Sequence, residues 1–298
     1  MTLQYHDISL ADKPAIDALL ARGNWPGCEY NFTSMFIWRK VRSAQVAYLN
    51  DTAVVRMSYF GKLFVLFPLD GARDAEAIAA VLADEQARET AEFSIYGLPR
   101  ETAQWVADTF PRFFAVRNYP NASEYLYRVE DLIHLSGKKY HGKRNHIARF
   151  RASDWAAEQL TPEHIAECMQ MHETWFSGHP NRESRDLCAE HEAVNQALTH
   201  FSALGLDGML LRQNGRVVAF SLGQPQNDDT YLIHIEKAYH DVEGAYQSIN
   251  QAMAEAFASS FAQINREDDA GDLGLRRAKQ SYHPVAMLDC YCADYIRR

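Results

Sequence analysis

The sequence predicts a two-domain α/β (α+β) protein, and three observations carry that prediction. The chain has 298 residues, about twice the ~150 of a single domain. Hydrophobic residues make up 47% and charged residues 23%, which supports packed cores and lies far from disordered composition. One order of strands and helices can also be read twice along the chain.

In the first half, residues 3–10 alternate weakly like a strand. Asp12 then opens a helix running to Arg22, with Pro14 in its first turn. Past the 23–27 break, Asn31 opens a second helix over 32–40. Strands over 44–49 and 52–59 flank Asn50-Asp51, a hairpin junction, and a strand over 62–67 is stopped by Pro68. An Ala-rich helix over 73–88, a strand over 92–96, a helix over 100–110 and strands over 112–116 and 124–129 complete the half. The second half begins with a strand over 156–160. Thr161-Pro162-Glu163 is a strong helix start, continuing to Phe176. A helix over 189–204 follows, then strands over 208–212 and 216–223 joined by Asn214-Gly215, whose Asn-Gly pair is the clearest hairpin in the chain. A strand over 230–237, a helix over 244–258, a strand over 261–264, a helix over 273–280 and a strand over 285–291 finish it.

Both halves thus read strand, two helices, hairpin, strand, helix, strand, helix, strand. Residue identity between them is not apparent, so the repeat is one of architecture. The order resembles the GNAT acyltransferase fold. That resemblance implies two tandem GNAT-like domains, each a mixed, mostly antiparallel sheet flanked by helices. Residues 1–130 form the first domain, 131–152 a basic connecting helix, and 153–298 the second domain with the active site.

The 30 Lys+Arg against 39 Asp+Glu leave a net charge of −9, which argues against nucleic-acid binding over the whole surface. The five cysteines (Cys28, Cys168, Cys188, Cys290, Cys292) form no CxxC pair and read as free thiols in a reducing compartment. Residues 1–7 lack the basic and apolar regions of a signal peptide, and no run approaches the ~20 apolar residues of a spanning helix. The expectation is a soluble cytoplasmic protein without a transmembrane segment.

Residues 131–151 contain six Lys or Arg and three His in a chain that is otherwise acidic. Lys139, Lys143 and His146 share a helical face, while Leu135, Ile147 and Phe150 can pack elsewhere. Such a cluster holds phosphate oxygens, with lysine as a point charge and arginine as a fork. Tyr125-Leu126-Tyr127 leading into Asp131-Leu132, then Gly137-Lys138-Lys139 and Lys143-Arg144-Asn145, resembles the family of the phosphatidylglycerol lysyltransferase C-terminal domain. The segment is more loosely similar to the Fem-type aminoacyltransferases, in which a basic helix also joins two GNAT-like halves.

A second constellation spans 265–284 and includes Asp269, Gly271, Gly274, Arg276, Lys279, Ser281, Tyr282 and His283. It follows a strand and enters the last helix, where α/β sheets bind ligands. Arg276 and Lys279 lie three apart on one helical face and can bind one anion together. Ser281, Tyr282 and His283 present hydroxyl, phenol and imidazole just before Pro284. This run also resembles the final motif of the same family. A third element is Glu236 with the loop ending at Gly244. An acetyl-CoA cradle uses several glycines so that successive N–H groups face the pyrophosphate, and here Gly244 stands alone.

His164, Cys168 and His172 recur every four residues, with Glu173 or His179 as a conceivable fourth ligand, but no metal-site spacing is present. No metal is expected. GxSxG, Walker A and GxGxxG motifs are absent. Asp70-Gly71-Ala72 is a plain turn, so the first half is expected to frame structure or substrate.

These residues suit an acyltransferase acting on an activated ester, and the resemblance implies that it moves an aminoacyl group from aminoacyl-tRNA to an amine or hydroxyl. The chemistry asks for a base, donors for an oxyanion and cations for donor phosphates. Glu236 or Asp269 is the expected base, Tyr282 the acid or oxyanion donor and Lys279 the charge stabiliser. Lys138, Lys139, Lys143, Arg144 and Arg276 are expected to bind phosphates, with Asn145, Gly244, Ser281 and His283 completing the substrate site. The resemblance implies a lipid-head-group acceptor, such as phosphatidylglycerol, reached by peripheral membrane contact; a small soluble acceptor is the other option. No tightly bound cofactor is expected. Two alternatives stand beside this reading: an acetyl-CoA-dependent N-acetyltransferase, and a non-catalytic module that binds a phosphorylated ligand.

Overall fold

The computed structural model describes residues 3–59 and 61–296. The chain divides into two compact units. The first comprises Met1–Glu124, Asp268–Gly271 and Leu288–Arg298; the second comprises Tyr125–Glu267 and Asp272–Met287. Each holds a seven-stranded sheet among the described residues.

The first unit runs β1 (His6–Asp7), α1 (Lys13–Gly23), α2 (Phe32–Ile37), α3 (Arg39–Arg42), β2 (Gln45–Leu49), β3 (Thr52–Tyr59), β4 (Lys62–Leu66), α4 (Ala75–Ala87), β5 (Phe93–Leu98), α5 (Arg100–Thr109) and β6 (Phe114–Asn118). The strand expected over 3–10 shrinks to two residues. The Asp12 carboxylate accepts hydrogen bonds from the Ser9 N–H and hydroxyl, which turns the chain into a 3-10 helix over Leu10–Asp12. The Asn31 side chain caps α2 through the N–H groups of Thr33 and Ser34, as its position in the sequence predicts.

The second unit contains β7 (Glu124–Arg128), α6 (Val129–His134), α7 (His141–Arg151), β8 (Trp155–Gln159), α8 (Ile165–Ser177), α9 (Arg185–Thr199), α10 (Phe201–Leu204), β9 (Asp207–Gln213), β10 (Arg216–Pro225), β11 (Thr230–Ala238), α11 (Ala245–Met253), β12 (Gln263–Asn265), α12 (Leu273–Gln280) and β13 (Ala286–Leu288); β14 (Tyr291–Tyr295) closes the chain. Asn214 and Gly215 both take positive φ between β9 and β10, the conformation a two-residue hairpin requires. A π-turn over Ala254–Ala258 prolongs α11 and ends the helix expected over 244–258.

The sheets share one plan. The first is ordered β1-β2-β3-β4-β5-β14-β6 and the second β13-β7-β12-β11-β10-β9-β8. In each, one parallel pair, β4–β5 or β11–β12, sits among antiparallel neighbours. The first sheet takes in a strand from the far end of the sequence, and the second takes in the strand at the junction of the two halves. β14 lies between β5 and β6 in the first sheet, and β7 lies between β12 and β13 in the second. The single strand expected over 285–291 is therefore two strands in two sheets. The Cys290 carbonyl accepts the Tyr119 N–H at 2.8 Å and directs the chain onto β6. Nor do the units follow the linear boundaries at 130 and 152: residues 131–152 belong to the second unit, where Leu132, Leu135, Tyr140, Ile147 and Phe150 join its core.

In the second unit β10 separates two layers by its alternation. Ala219 packs into the core shared with Ala245 and Ile249 of α11, while the Phe220 ring meets His172 of α8.

Candidate active site

The parallel ladder between β11 and β12 has three rungs: Thr230 with Gln263, Tyr231 with Ile264, and Leu232 with Asn265. Immediately beyond it, β11 carries one extra residue, His234, opposite the Leu222–Gly223 step of β10. Such a bulge sharpens the local twist and re-aims side chains. β11 continues against β10 as far as Ala238 but leaves β12 behind. The chain after Asn265 turns away, with the Asn265 carboxamide oxygen accepting the Glu267 N–H at 2.8 Å. Two side-chain pairs span the opening: His234 Nδ1 with Glu267 Oε1 at 3.1 Å, and Arg266 Nη2 donating to Glu236 Oε1 at 2.8 Å.

The Arg266–Glu236 pair is nearly enclosed. Asn250 of α11 donates to the second Glu236 oxygen at 2.9 Å, so both oxygens of the carboxylate are engaged. The guanidinium lies over the rings of Tyr282 and Tyr127, 4.8 and 5.6 Å from their centroids. Burial opposes the charge on Arg266, but Glu236, aided by Tyr127 and Tyr282, more than offsets this and holds the group above the ordinary arginine value. Among the described residues Arg266 Nη1 and Asn250 Oδ1 find no hydrogen-bond partner. Buried polar atoms are seldom left so. A donor and an acceptor thus stand ready at one place.

Lys143 reaches this cluster from α7. Its Nζ lies 3.9 Å from the Tyr282 ring centroid and donates to Ser281 Oγ at 2.6 Å. Burial, then the neighbouring Arg266 charge, lower its pKa to about 8, with Glu236 working in the opposite direction. Tyr282 is buried, which keeps its phenol protonated; Arg266 opposes that shift and Glu236 reinforces it. Its main-chain carbonyl accepts the Tyr140 hydroxyl at 2.9 Å. Lys279 is the buried residue of α12: its ammonium donates to the Arg266 carbonyl at 2.6 Å, and its own carbonyl accepts the Tyr127 hydroxyl at 2.8 Å. Lys279 therefore clamps the start of the loop that carries Arg266.

Glu236, Lys143, Lys279, Ser281 and Tyr282 come together around Arg266. The remaining candidates are more dispersed. His283, at a left-handed φ of 54°, sets its ring edge-on to Tyr140. Arg276 is half-buried on α12. Lys138, Lys139, Arg144 and Asn145 are exposed. Lys139 lies 3.6 Å from Asp131, Arg144 donates to the Leu135 and Gly137 carbonyls, and Asn145 bonds His141. Asp269 falls in the first unit and is buried, its carboxylate accepting the Gly271 N–H at 2.9 Å. Gly244 has a φ of 80°, and a Cβ there would stand 2.1 Å from the His146 carbonyl oxygen. The main chain of α7 thus lies against the start of α11, where Glu243 also pairs with His146 and Arg149.

The helical His/Cys spacing has other partners. His164 Nδ1 accepts the Thr161 N–H; Cys168 is buried, which pushes its thiol up to about 12; His172, lowered to about 3 chiefly by burial, bonds His191 at 3.0 Å. Next to Glu236 on β11, Lys237 pairs with Glu190 at 2.8 Å and lies over the Trp175 ring. In the first unit the β4–β5 ladder likewise ends, at Val65 and Ile95. A cavity of about 20 Å³ beyond it, lined among others by Trp25, Glu29, Tyr96, Glu124 and Asp268, has room for about one water.

Sequence reasoning missed Arg266, Asn250, Tyr127 and His234 as site residues. The available signal was the position of Arg266 directly after a strand parallel to the one that ends near Glu236.

A family model described as phosphatidylglycerol lysyltransferase, C-terminal, matches residues 21–294. A conserved protein of unknown function from Bacteroides thetaiotaomicron VPI-5482 is 33% identical over 99% of this chain and 100% of its own, with a TM-score of 0.91. L-PGS from Bacillus licheniformis is 15% identical over 95% of this chain and 91% of its own, with a TM-score of 0.63. A tandem GNAT protein from the clavulanic acid biosynthesis pathway is 11% identical over 98% of both chains, with a TM-score of 0.52. The latter two likenesses are of fold alone, and they bear out the tandem GNAT-like architecture. An uncharacterized protein of Mycoplasmoides gallisepticum, MYCGA3080, is 22% identical over 60% of this chain, and the match spans 58% of that relative's length.

Proposed function

We propose that this chain, which belongs to the phosphatidylglycerol lysyltransferase C-terminal family and has its acyltransferase-like fold, transfers an aminoacyl group from the ester of an aminoacyl-tRNA to an amine or hydroxyl acceptor. The observation that carries this reading is the opening where β11 leaves β12, with Arg266, Asn250, Lys143 and Tyr282 around one buried carboxylate.

Attack on an ester carbonyl moves a proton off the nucleophile and builds negative charge on the carbonyl oxygen. Preorganised donors in a water-poor site stabilise that charge. Arg266 has a spare N–H in such a site, and Glu236 with Asn250 holds it in place. Lys143, held near 8, is a neutral amine in a useful fraction of molecules around neutrality. In this scheme it takes the acceptor's proton and returns it to the departing ribose hydroxyl as the tetrahedral intermediate collapses. Tyr282, protonated throughout, donates to the developing oxyanion beside Arg266. Glu236 then serves as anchor rather than base, since both of its oxygens are occupied. In this scheme the exposed cations Lys138, Lys139 and Arg144 meet the donor phosphates. With the α7 main chain against Gly244, a pyrophosphate cradle at the start of α11 has little space, which favours an aminoacyl ester over acetyl-CoA.

The test is label transfer from tRNAs charged with radioactive amino acids to a panel of phosphatidylglycerol vesicles and soluble amines, run beside acetyl-CoA with detection of free thiol. Labelled product from an aminoacyl-tRNA supports the reading. Thiol release from acetyl-CoA without aminoacyl transfer overturns it in favour of an acetyltransferase. Tight ligand binding with no turnover on any donor overturns it in favour of a binding module.

A further inference from the structure

We propose that His234, held by Glu267, accepts a hydrogen bond from the primary amine of the transferred group, and so separates an aminoacyl donor from a plain acyl one. This rests on the transfer reading of the same opening, and it gives a part to a buried pair that the proton transfers do not use. The His234 side chain is enclosed, at 0% exposed, and its Nε2 finds no hydrogen-bond partner among the described residues. Leaving a buried polar atom unmatched is costly, and a ligand that matches it recovers the loss.

The bulge in β11 is what brings His234 to the site. Before it, Tyr231 and Ile233 pack into the core shared with Ile249 of α11; beyond it, Ala238 rejoins that core and Glu236 bonds Asn250 of α11. Lys237 points the other way, to Glu190 of α9. Strict alternation from Ile233 would send residues 236 and 238 to the α9 side. The extra residue, His234, resets the phase. Counting back from Glu236 then places His234 on the α11 face as well, one rung along from the Glu236–Arg266 pair.

Glu267 fixes the ring. His234 Nδ1 lies 3.1 Å from Glu267 Oε1. A carboxylate only accepts, so the neutral imidazole carries its proton on Nδ1 and leaves the Nε2 lone pair for a donor. Glu267 is itself held: its N–H donates to the Asn265 carboxamide at 2.8 Å, its carbonyl accepts the Tyr125 N–H at 3.2 Å, and its φ is a left-handed 57°. A non-glycine residue keeps that conformation only when its surroundings impose it.

Counting unmatched atoms selects the ligand. Around the opening stand one buried donor, Arg266 Nη1, and two buried acceptors, Asn250 Oδ1 and His234 Nε2. An acetyl group brings a carbonyl oxygen for Arg266 and nothing for the other two. A hydroxyacyl group adds a single O–H. An acyl group with a primary amine on the neighbouring carbon brings one acceptor and at least two N–H donors, which matches all three atoms. A site built to hydrogen-bond an amine rejects the analogue that lacks it, because the buried acceptors are then left unpaired.

The test is calorimetric titration of the full chain with three unreactive donor analogues, the alanyl, lactyl and propionyl amides of 3′-amino-3′-deoxyadenosine, which differ in bearing an amine, a hydroxyl or neither. Wild type should bind the alanyl amide at least about tenfold more tightly than the propionyl one, with the lactyl amide between. His234→Leu should abolish that preference while leaving the propionyl affinity within about twofold, since no hydrogen bond to that ligand is lost. His234→Gln, which keeps an acceptor, should retain most of the preference, and Glu267→Ala should lose part of it. Loss of all three ligands alike in a folded His234→Leu protein would mean a structural role and overturn the proposal, as would an unchanged preference there. Should His234→Leu not fold, a full preference in Glu267→Ala overturns it equally. If wild type binds none of the analogues, the transfer reading falls and takes this inference with it; binding without the preference removes the inference alone.

Discussion

Arg266 and Glu236 meet at 2.8 Å across the gap where two parallel strands part, with side chains only 11% and 12% exposed. A buried ion pair is a weak source of stability as a whole, yet breaking it from one side is costly. Arg266→Ala should therefore destabilise the protein by ~3–5 kcal/mol. The double variant Arg266→Ala/Glu236→Ala should recover part of that loss, because no carboxylate is left buried alone. Urea unfolding of the double-mutant cycle checks this; additive losses would mean that the two groups do not interact.

Lys143 should leave a mark on stability as well as on rate. Its folded-state pKa of about 8 lies below the ordinary lysine value of 10.5. Between those values the unfolded chain binds the proton that the folded one has released, so stability rises with pH across that window and is flat below it. The difference in melting temperature between wild type and Lys143→Met, followed from pH 7 to 10, isolates this contribution. If transfer uses the neutral amine, the rate rises through about pH 8 and Lys143→Met loses the step.

Tyr282→Phe keeps the ring beneath Lys143 and Arg266 and removes only the hydroxyl. The expected outcome is an unchanged fold and a transfer rate lowered by about 10²-fold or more. Single-turnover discharge of aminoacyl-tRNA measures it, and full activity would remove Tyr282 from the chemistry.

Two glycines of the second unit should respond oppositely to alanine. At Gly244 the positive φ and the 2.1 Å approach of the His146 carbonyl leave no space, so Gly244→Ala should cost more than ~1 kcal/mol. At Gly142, inside α7 with nothing near a Cβ, Gly142→Ala should be neutral or stabilise by up to ~1 kcal/mol. Thermal melts of both variants decide the matter.

Ending the chain after Asp289 should remove β14 from between β5 and β6, leaving two strands of the first sheet without their shared neighbour. Dye binding to exposed apolar surface and loss of near-UV dichroism are the expected readouts. A folded truncated chain would show that the first sheet tolerates the gap.

Most helices and strands were legible from local pattern. Asn214-Gly215 dictated its hairpin, Asn31 its helix cap, and the Leu and Ile residues of 131–151 the buried side of a basic helix. The sequence also marked the neighbourhood of the site: Glu236, Lys143, Lys279, Ser281 and Tyr282 were all in view. What it did not mark was the organising residue. Arg266 is one of four charged residues in Arg266-Glu267-Asp268-Asp269, and nothing local distinguishes it from its neighbours.

The sequence by itself determined the element order, the two hairpin-rich halves and the cationic segment, because turn geometry and hydrophobic periodicity act within a few residues. The tertiary structure alone decided that β7 joins the second sheet and β14 the first, that a bulge at His234 opens the parallel pair, and that Arg266 finds Glu236 thirty positions away. Strand partners and buried charge pairs are selected by which burial leaves the fewest polar groups unsatisfied, and that condition belongs to the whole fold rather than to any stretch of chain.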